Sequence, residues 1–202
     1  MPYRNRTILP QNFYHIYNRG NNRQPIFLES ENYAFFLRRF QRYFPPDQVE
    51  IHAYCLIPNH YHLAVRIVSD IDYTKQMQSF SISYAKSINE RYKRVGHLFQ
   101  GRFRAKHIDS TSYLLHLSRY IHLNPQHAGL VNKASRWEYS SYPEYLQGIR
   151  SCEVSVFSSA DGRPRVTVDF VLSHFAGAAD YRDYVESYGE DQMKRMNDLL
   201  WK

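Results

Sequence analysis

Cysteine is scarce in this chain: Cys55 and Cys152 are the only two among 202 residues, far apart and without a C-x-x-C pairing. Their scarcity excludes a disulfide framework and a thiolate zinc site, and it points to a reducing interior. No run approaches the roughly 20 consecutive apolar residues that a membrane span needs. Met1-Pro2-Tyr3-Arg4 leads into no apolar signal core. A cytoplasmic protein with no membrane partner is therefore expected. Internal repeats and low-complexity tracts are also missing. Gly96 to Gly101 has the glycine spacing of a Walker loop, but Arg102-Phe103 stands where Lys-Ser/Thr is required, so no nucleotide cofactor is expected.

Basic and aromatic residues are plentiful. Twenty-six Lys+Arg against 19 Asp+Glu give a formal charge of +7, and a pI near 9.4 favours a polyanionic partner such as nucleic acid. Aromatics make up 16% of the chain, with 18 tyrosines; cations interleaved with aromatic faces suit stacking on unpaired bases. At 43% hydrophobic, the chain can bury one real core with an appendage.

The bulky segment Phe13 to Asn18 reads as a first strand closed by the turn-forming Arg19-Gly20-Asn21-Asn22. Tyr33, Phe36, Leu37, Phe40 and Phe44 follow a helical period, with Ser30 as the expected cap and Pro45-Pro46 as the stop. Val49, Ile51, Ala53 and Cys55 alternate with Glu50, His52 and Tyr54 as a second strand, joined by Pro58-Asn59 to a third. In the third strand Tyr61, Leu63, Val65 and Ile67 share one face, and His60, His62, Ala64 and Arg66 share the other.

Met77, Phe80, Tyr84 and Ile88 mark a second helix, and a fourth strand is expected over Arg102 to Ile108. The order strand, helix, strand, strand, helix, strand predicts an α+β fold: a ferredoxin-like split βαβ sandwich with an antiparallel sheet. A third helix opens near Ser110 to Ser112, carries Leu114, Leu117 and Ile121, and is expected to end at Pro125 with Tyr120 in its last turn. Beyond Gly148, Ser158-Ser159-Ala160-Asp161-Gly162 reads as a linker or exposed loop, and Tyr181, Tyr184, Val185 and Tyr188 as a small C-terminal helix. The expected division is a unit of residues 1–148 and a C-terminal extension of residues 149–202.

His60-Tyr61-His62 places two imidazoles two residues apart on one strand face, where both can converge on one divalent ion. Two imidazoles leave such an ion under-coordinated. Asn124, four residues after Tyr120, is a candidate third ligand, and a helix C-cap is an equal reading of it. Arg102, Arg104 and Lys106 alternate along the expected fourth strand, with Arg91, Lys93, Arg94 and His97 just upstream. These cations, extended by Arg19, Arg23, Arg38 and Arg39, form an expected phosphate-contacting surface.

Composition cannot choose one tyrosine among 18. Leu56-Ile57-Pro58-Asn59-His60-Tyr61-His62-Leu63-Ala64-Val65, however, resembles the His-hydrophobic-His motif of single-tyrosine HUH transposases. Arg119-Tyr120-Ile121-His122-Leu123-Asn124-Pro125 resembles their tyrosine helix. Gly96-His97-Leu98-Phe99-Gln100-Gly101-Arg102-Phe103 and Trp137-Glu138-Tyr139-Ser140-Ser141-Tyr142 look like the branch associated with repetitive extragenic palindromes. The resemblance spans roughly residues 10 to 147.

It implies Tyr120 as nucleophile, His60 and His62 as metal ligands, and Asn124 where many mobile-element relatives have glutamine; Gln126 and His15 are fallback ligands. The implied activity is metal-dependent nicking and rejoining of single-stranded DNA with hairpin or palindromic elements. Mg²⁺ or Mn²⁺ would polarise the scissile phosphate, and a 5′-phosphotyrosine link would conserve the phosphodiester bond. A bacterial, nucleoid-associated setting is implied too, while monomer and homodimer both stay open. Two rival readings remain: an RNA-binding module on the same sandwich, and a relative that recognises hairpins without cutting them.

Overall fold

The computed structural model describes residues 8–148 and 165–201, with the side chains at 190 and 199–201 outside that description. The first half runs β1 (Phe13–Arg19), α1 (Ser30–Tyr43), β2 (Val49–Ile57), β3 (His60–Ile67), α2 (Tyr73–Arg91) and β4 (Arg104–Ile108), with a 3-10 turn at Asn21–Arg23. The strands form one sheet in the order β2-β3-β1-β4, and every neighbouring pair is antiparallel. This is the expected split βαβ arrangement, with β1 and β3 central and β2 and β4 at the edges.

Both helices lie on the face that carries Tyr61, Leu63 and Val65, and they do so because their apolar stripes are aromatic. Phe36 of α1 sits 5.0 Å from Tyr61, 5.0 Å from Phe80 and 5.1 Å from Tyr84 (ring centroids). All four rings are fully buried. Tilted and edge-on contacts of this kind satisfy the quadrupoles of neighbouring rings as well as excluding water. Tyr84 also uses its hydroxyl, which donates to the carbonyl of Ile26 at 2.9 Å.

The opposite sheet face is covered by α3 (Thr111–His127), then by α4 (Tyr142–Gln147), α5 (Asp169–Leu172), α6 (Ala178–Glu186) and α7 (Glu190–Trp201). Tyr181 of α6 is fully buried, with its hydroxyl 3.0 Å from Ser118 Oγ and 2.8 Å from His122 Nδ1. Arg119 strengthens the same junction, its guanidinium lying 4.3 Å and 3.9 Å from the ring centroids of Tyr184 and Tyr188. Thr167 donates to the carbonyl of Ile51 at 2.8 Å, so the segment leading into α5 lies along the β2 edge.

Four local expectations change. The cap of α1 is Glu29, not Ser30: its carboxylate accepts the backbone N–H of Asn32, whose side chain reciprocates in a capping box. In β2 the alternation of Val49, Ile51, Ala53 and Cys55 is broken by an irregularity between Ile51 and Ala53. The extra residue turns Val49 and Ile51 toward the Val65 face and Ala53 and Cys55 toward the histidine face. β4 begins at Arg104, so Arg102 is outside the strand.

Finally, α3 does not end at Pro125 but continues to His127. A proline inside a helix forfeits one N–H bond; here Ala128 N–H still bonds the Asn124 carbonyl and Leu130 N–H the Pro125 carbonyl, closing the last turn. Tyr120 is therefore two turns before the end of α3, not in its last turn. The loop expected at Ser158 to Gly162 falls outside the described residues.

Candidate active site

Register decides which side chains meet. In an antiparallel sheet, directly opposed residues point to the same face. Across β1 and β3, His62 opposes Tyr17, Ala64 opposes His15, and His60 opposes Arg19. Across β1 and β4, Tyr17 opposes Arg104 and His15 opposes Lys106. One sheet face thus gathers His60, His62, His15, Tyr17, Arg19, Arg104 and Lys106, and α3 lies against it.

The α3 residues complete the group within one chain. The Tyr120 ring stands edge-on to His62 with centroids 5.3 Å apart. His60 and His62 are 5.0 Å apart. Because α3 is helical through Asn124, Tyr120 and Asn124 share a helix face, and the side-chain oxygen of Asn124 lies 3.0 Å from His60 Nε2. The C-cap reading of Asn124 is excluded, since Ala128 is the cap. Of the fallback ligands, Gln126 is turned away, its Oε1 accepting from Ala134 N–H at 3.0 Å. His15 lies behind His62, with His15 Nε2 2.9 Å from His62 Nδ1.

Burial shapes the electrostatics. Tyr120, His15 and His62 have no exposed surface. Desolvation lowers His60 to about 4. Burial, then the Lys106 charge, brings His15 down to about 3. His62 is held well below the ordinary histidine value by burial and by the neighbouring imidazoles. All three rings are therefore neutral at neutral pH, the protonation state in which imidazole ligates metal.

Among the described residues no group of three or more His, Cys, Asp and Glu side chains is arranged to hold an ion. The donor set at this site is instead two imidazoles and an amide oxygen, and two features fit it to a divalent cation. First, a neutral imidazole has one N–H, yet His60 faces two acceptors. Its Nδ1 lies 2.7 Å from Asn59 Oδ1. With that N–H donated to Asn59, Nε2 and the Asn124 oxygen oppose each other as two lone pairs, a repulsion that a cation relieves. Second, adjacent ligands of an octahedral ion at about 2.1 Å stand about 3 Å apart, which is the spacing found here. Donation of His62 Nδ1–H to His15 would leave His62 Nε2 as its ligating atom, the usual support for a metal-bound histidine.

The phenol is engaged elsewhere: Tyr120 donates its hydroxyl hydrogen to Asn197 Oδ1 of α7 at 2.6 Å. No sequence signal could have named Asn197, which is 77 residues away and carries no periodicity or motif. Asn59, by contrast, sits beside His60 in the motif itself.

The expected basic surface divides in two. Arg104, Lys106 and Arg19 share the histidine face, with Lys106 over the Tyr113 ring at 5.0 Å. Arg94 and Arg102 line a groove on the other side of the sheet. Lys93 and Arg23 are exposed at turn positions with positive φ. Arg91 is tied to α1, 2.6 Å from Glu29 and 2.8 Å from Glu31.

The family described as "Transposase IS200 like" matches residues 10–124 of this chain. Among solved structures, one described as the REP-associated tyrosine transposase bound to a REP hairpin matches with a TM-score of 0.61 at 18% identity. That match covers 83% of this chain and 100% of the other. At that identity the likeness concerns the fold. The tRNA(His) guanylyltransferase of Saccharomyces cerevisiae matches with a TM-score of 0.43 at 9% identity, over 94% of this chain and 77% of the other. No curated protein sequence matches the chain.

Proposed function

Because the chain belongs to the IS200-like transposase family, we propose that it cuts and rejoins single-stranded DNA at or near hairpins, with Tyr120 as the nucleophile. The observation that carries this reading is the meeting, inside one chain, of the Tyr120 ring with His62 and of Asn124 with His60. The solved relative of the same fold is described as bound to a hairpin, which supports the substrate class.

His60, His62 and Asn124 would hold a divalent ion, Mg²⁺ or Mn²⁺, which when bound supplies Lewis-acid polarisation of a phosphate oxygen. Arg104 and Lys106 on the same sheet face draw the backbone in and fix its register by phosphate contacts. Tyr120 then attacks phosphorus in line. The new bond joins the phenolic oxygen to the 5′ phosphate, the bond to the 3′ oxygen breaks, and the phenolic proton ends on that departing oxygen. The reverse attack by another 3′ hydroxyl restores the phosphodiester and frees the tyrosine. Since the bond is exchanged, not hydrolysed, no nucleotide is consumed.

In the closed arrangement the phenol is buried and bonded to Asn197, so attack requires α7 to withdraw. That same contact is the observation favouring the second reading, a hairpin-binding protein that does not cut. Incubating labelled hairpin single-stranded DNA with the protein and Mn²⁺ separates the two. A denaturation-resistant adduct is expected, lost in Tyr120→Phe while DNA binding persists. Binding without any adduct in the wild type would leave the binding-only reading, and an adduct surviving in Tyr120→Phe would refute the nucleophile.

A further inference from the structure

The turn after β1 is held in a conformation that its own side chains do not explain. Asn22 and Arg23 both lie in the left-handed region, at φ 50° and 58°, where residues other than glycine are uncommon. Both are exposed, so burial of their side chains does not keep them there. Gly20 is equally constrained: a Cβ there would stand 1.9 Å from the Gln24 carbonyl oxygen, so the chain closes this tightly only with glycine. Backbone strain at an exposed turn points to a task for the backbone itself.

That task lies at Pro58-Asn59, the connection between β2 and β3. Gly20 N–H donates to the Asn59 carbonyl at 2.8 Å, and the N–H groups of Ile26 and Phe27 donate to the Pro58 carbonyl at 2.7 and 3.0 Å. A side chain adds to these bonds: Asn59 Nδ2 donates to the Arg23 carbonyl at 3.3 Å. A carbonyl only accepts, so it takes the amino end of the amide and leaves Oδ1 facing His60 Nδ1 at 2.7 Å. Turned the other way, the amide would set its oxygen against the Arg23 carbonyl. An acceptor fixed at Nδ1 calls for the N–H of His60 there. A neutral imidazole has only one N–H, so Nε2 is left with its lone pair on the side of Asn124.

We infer that Asn59 is a positioning residue: aimed by the Arg23 carbonyl of the strained turn, its amide oxygen fixes the tautomer of His60 and makes Nε2 the ligating atom. This rests on the reading of His60, His62 and Asn124 as a metal site. His62 is supported separately, by His15, so the two imidazoles can be perturbed one at a time.

The tautomer is read directly by ¹⁵N NMR of the metal-free, full-length chain, with the His60 signals assigned by their loss in His60→Gln. Nδ1 should carry the proton; a proton on Nε2 with Nδ1 bare would overturn the inference without any further variant. Calorimetry with Mn²⁺ alone gives the second readout, on variants shown to be folded by their circular dichroism melts. Asn59→Leu, which removes the acceptor, should weaken Mn²⁺ binding by about 10–100-fold. Asn59→Asp, which keeps an acceptor whichever way it turns, should bind at least as tightly as the wild type.

The turn is tested at Asn22, whose exposed side chain can be exchanged without touching the core. Asn22→Val, a β-branched residue that the left-handed region excludes, should weaken Mn²⁺ binding, whereas Asn22→Gly should not. Combined with Asn59→Asp, Asn22→Val should lose its effect, because a carboxylate needs no carbonyl to orient it; such non-additivity marks a coupled pair. Wild-type affinity in Asn59→Leu would overturn the inference, as would equal losses in Asn59→Leu and Asn59→Asp. An Asn22→Val loss of the same size in both backgrounds would overturn the part assigned to the turn. A wild-type chain that binds no Mn²⁺ would instead sink the underlying reading of a metal site.

Discussion

The contact between Tyr120 and Asn197 makes a quantitative demand on the chemistry. The phenol has no exposed surface and donates to Asn197 at 2.6 Å, so the reactive state must break that bond. A hydrogen bond of this type stabilises by about 0.5–1.5 kcal/mol. Asn197→Ala removes it; at about 1 kcal/mol the open state gains about fivefold in population, since about 1.4 kcal/mol is a factor of ten.

Met193, buried on the same helix, provides a graded second perturbation. Met193→Ala costs about 2–5 kcal/mol of packing and should open α7 at least about fivefold further than Asn197→Ala does, until opening no longer limits the rate. The assay is single-turnover formation of the covalent adduct on a hairpin single strand in Mn²⁺, followed on denaturing gels. The expected order of initial rates is Met193→Ala, then Asn197→Ala, then wild type. Rates that are unchanged or fall in both variants would refute the reasoning, because Asn197 would then be holding the phenol in its reactive position instead of away from it.

Three further expectations follow from named contacts. His15→Ala removes the partner of His62 Nδ1 and should weaken Mn²⁺ binding by about 10–100-fold, read by calorimetry with the metal alone; unchanged affinity would show that His15 does not orient His62. Lys106→Ala removes one cation from the histidine face, so the slope of log affinity against log salt for single-stranded DNA should shrink by about 0.7; an identical slope would place the phosphates elsewhere. Gly20→Ala would drive a methyl group into the backbone carbonyl of Gln24. Gly20 N–H bonds the Asn59 carbonyl beside His60, so the variant should lose about 1–3 kcal/mol of stability in thermal denaturation; wild-type stability would mean the turn relaxes freely.

Much of the fold was legible because its signals are local. The aromatic period of α1 and α2, the Pro58-Asn59 turn and the two-residue spacing of His60 and His62 each occupy a few consecutive residues, and each appears where expected. The misses came where local rules compete with tertiary ones. Proline rules end α3 at Pro125, but burial of Leu123, Asn124 and Pro125 holds the helix on to His127. Alternation assigns all of β2 to one pattern, but both faces of that strand are buried, so hydrophobicity could not reveal the irregularity at His52.

The basic run from Arg91 to Lys106 reads as one patch on paper. Chain direction reverses within it, and the sheet divides it between two faces.

From sequence alone came the element order, the antiparallel sandwich, the shared face of the two histidines and the family motifs, all of which depend on residues close together in the chain. Only the tertiary structure decided that Tyr120 is covered by α7, that His15 stands behind His62, that Asn124 faces His60, and that a groove lies between α2 and residues 94–103. Those facts depend on register and helix placement, which are set by the packing of the whole core, and no window of neighbouring residues contains them.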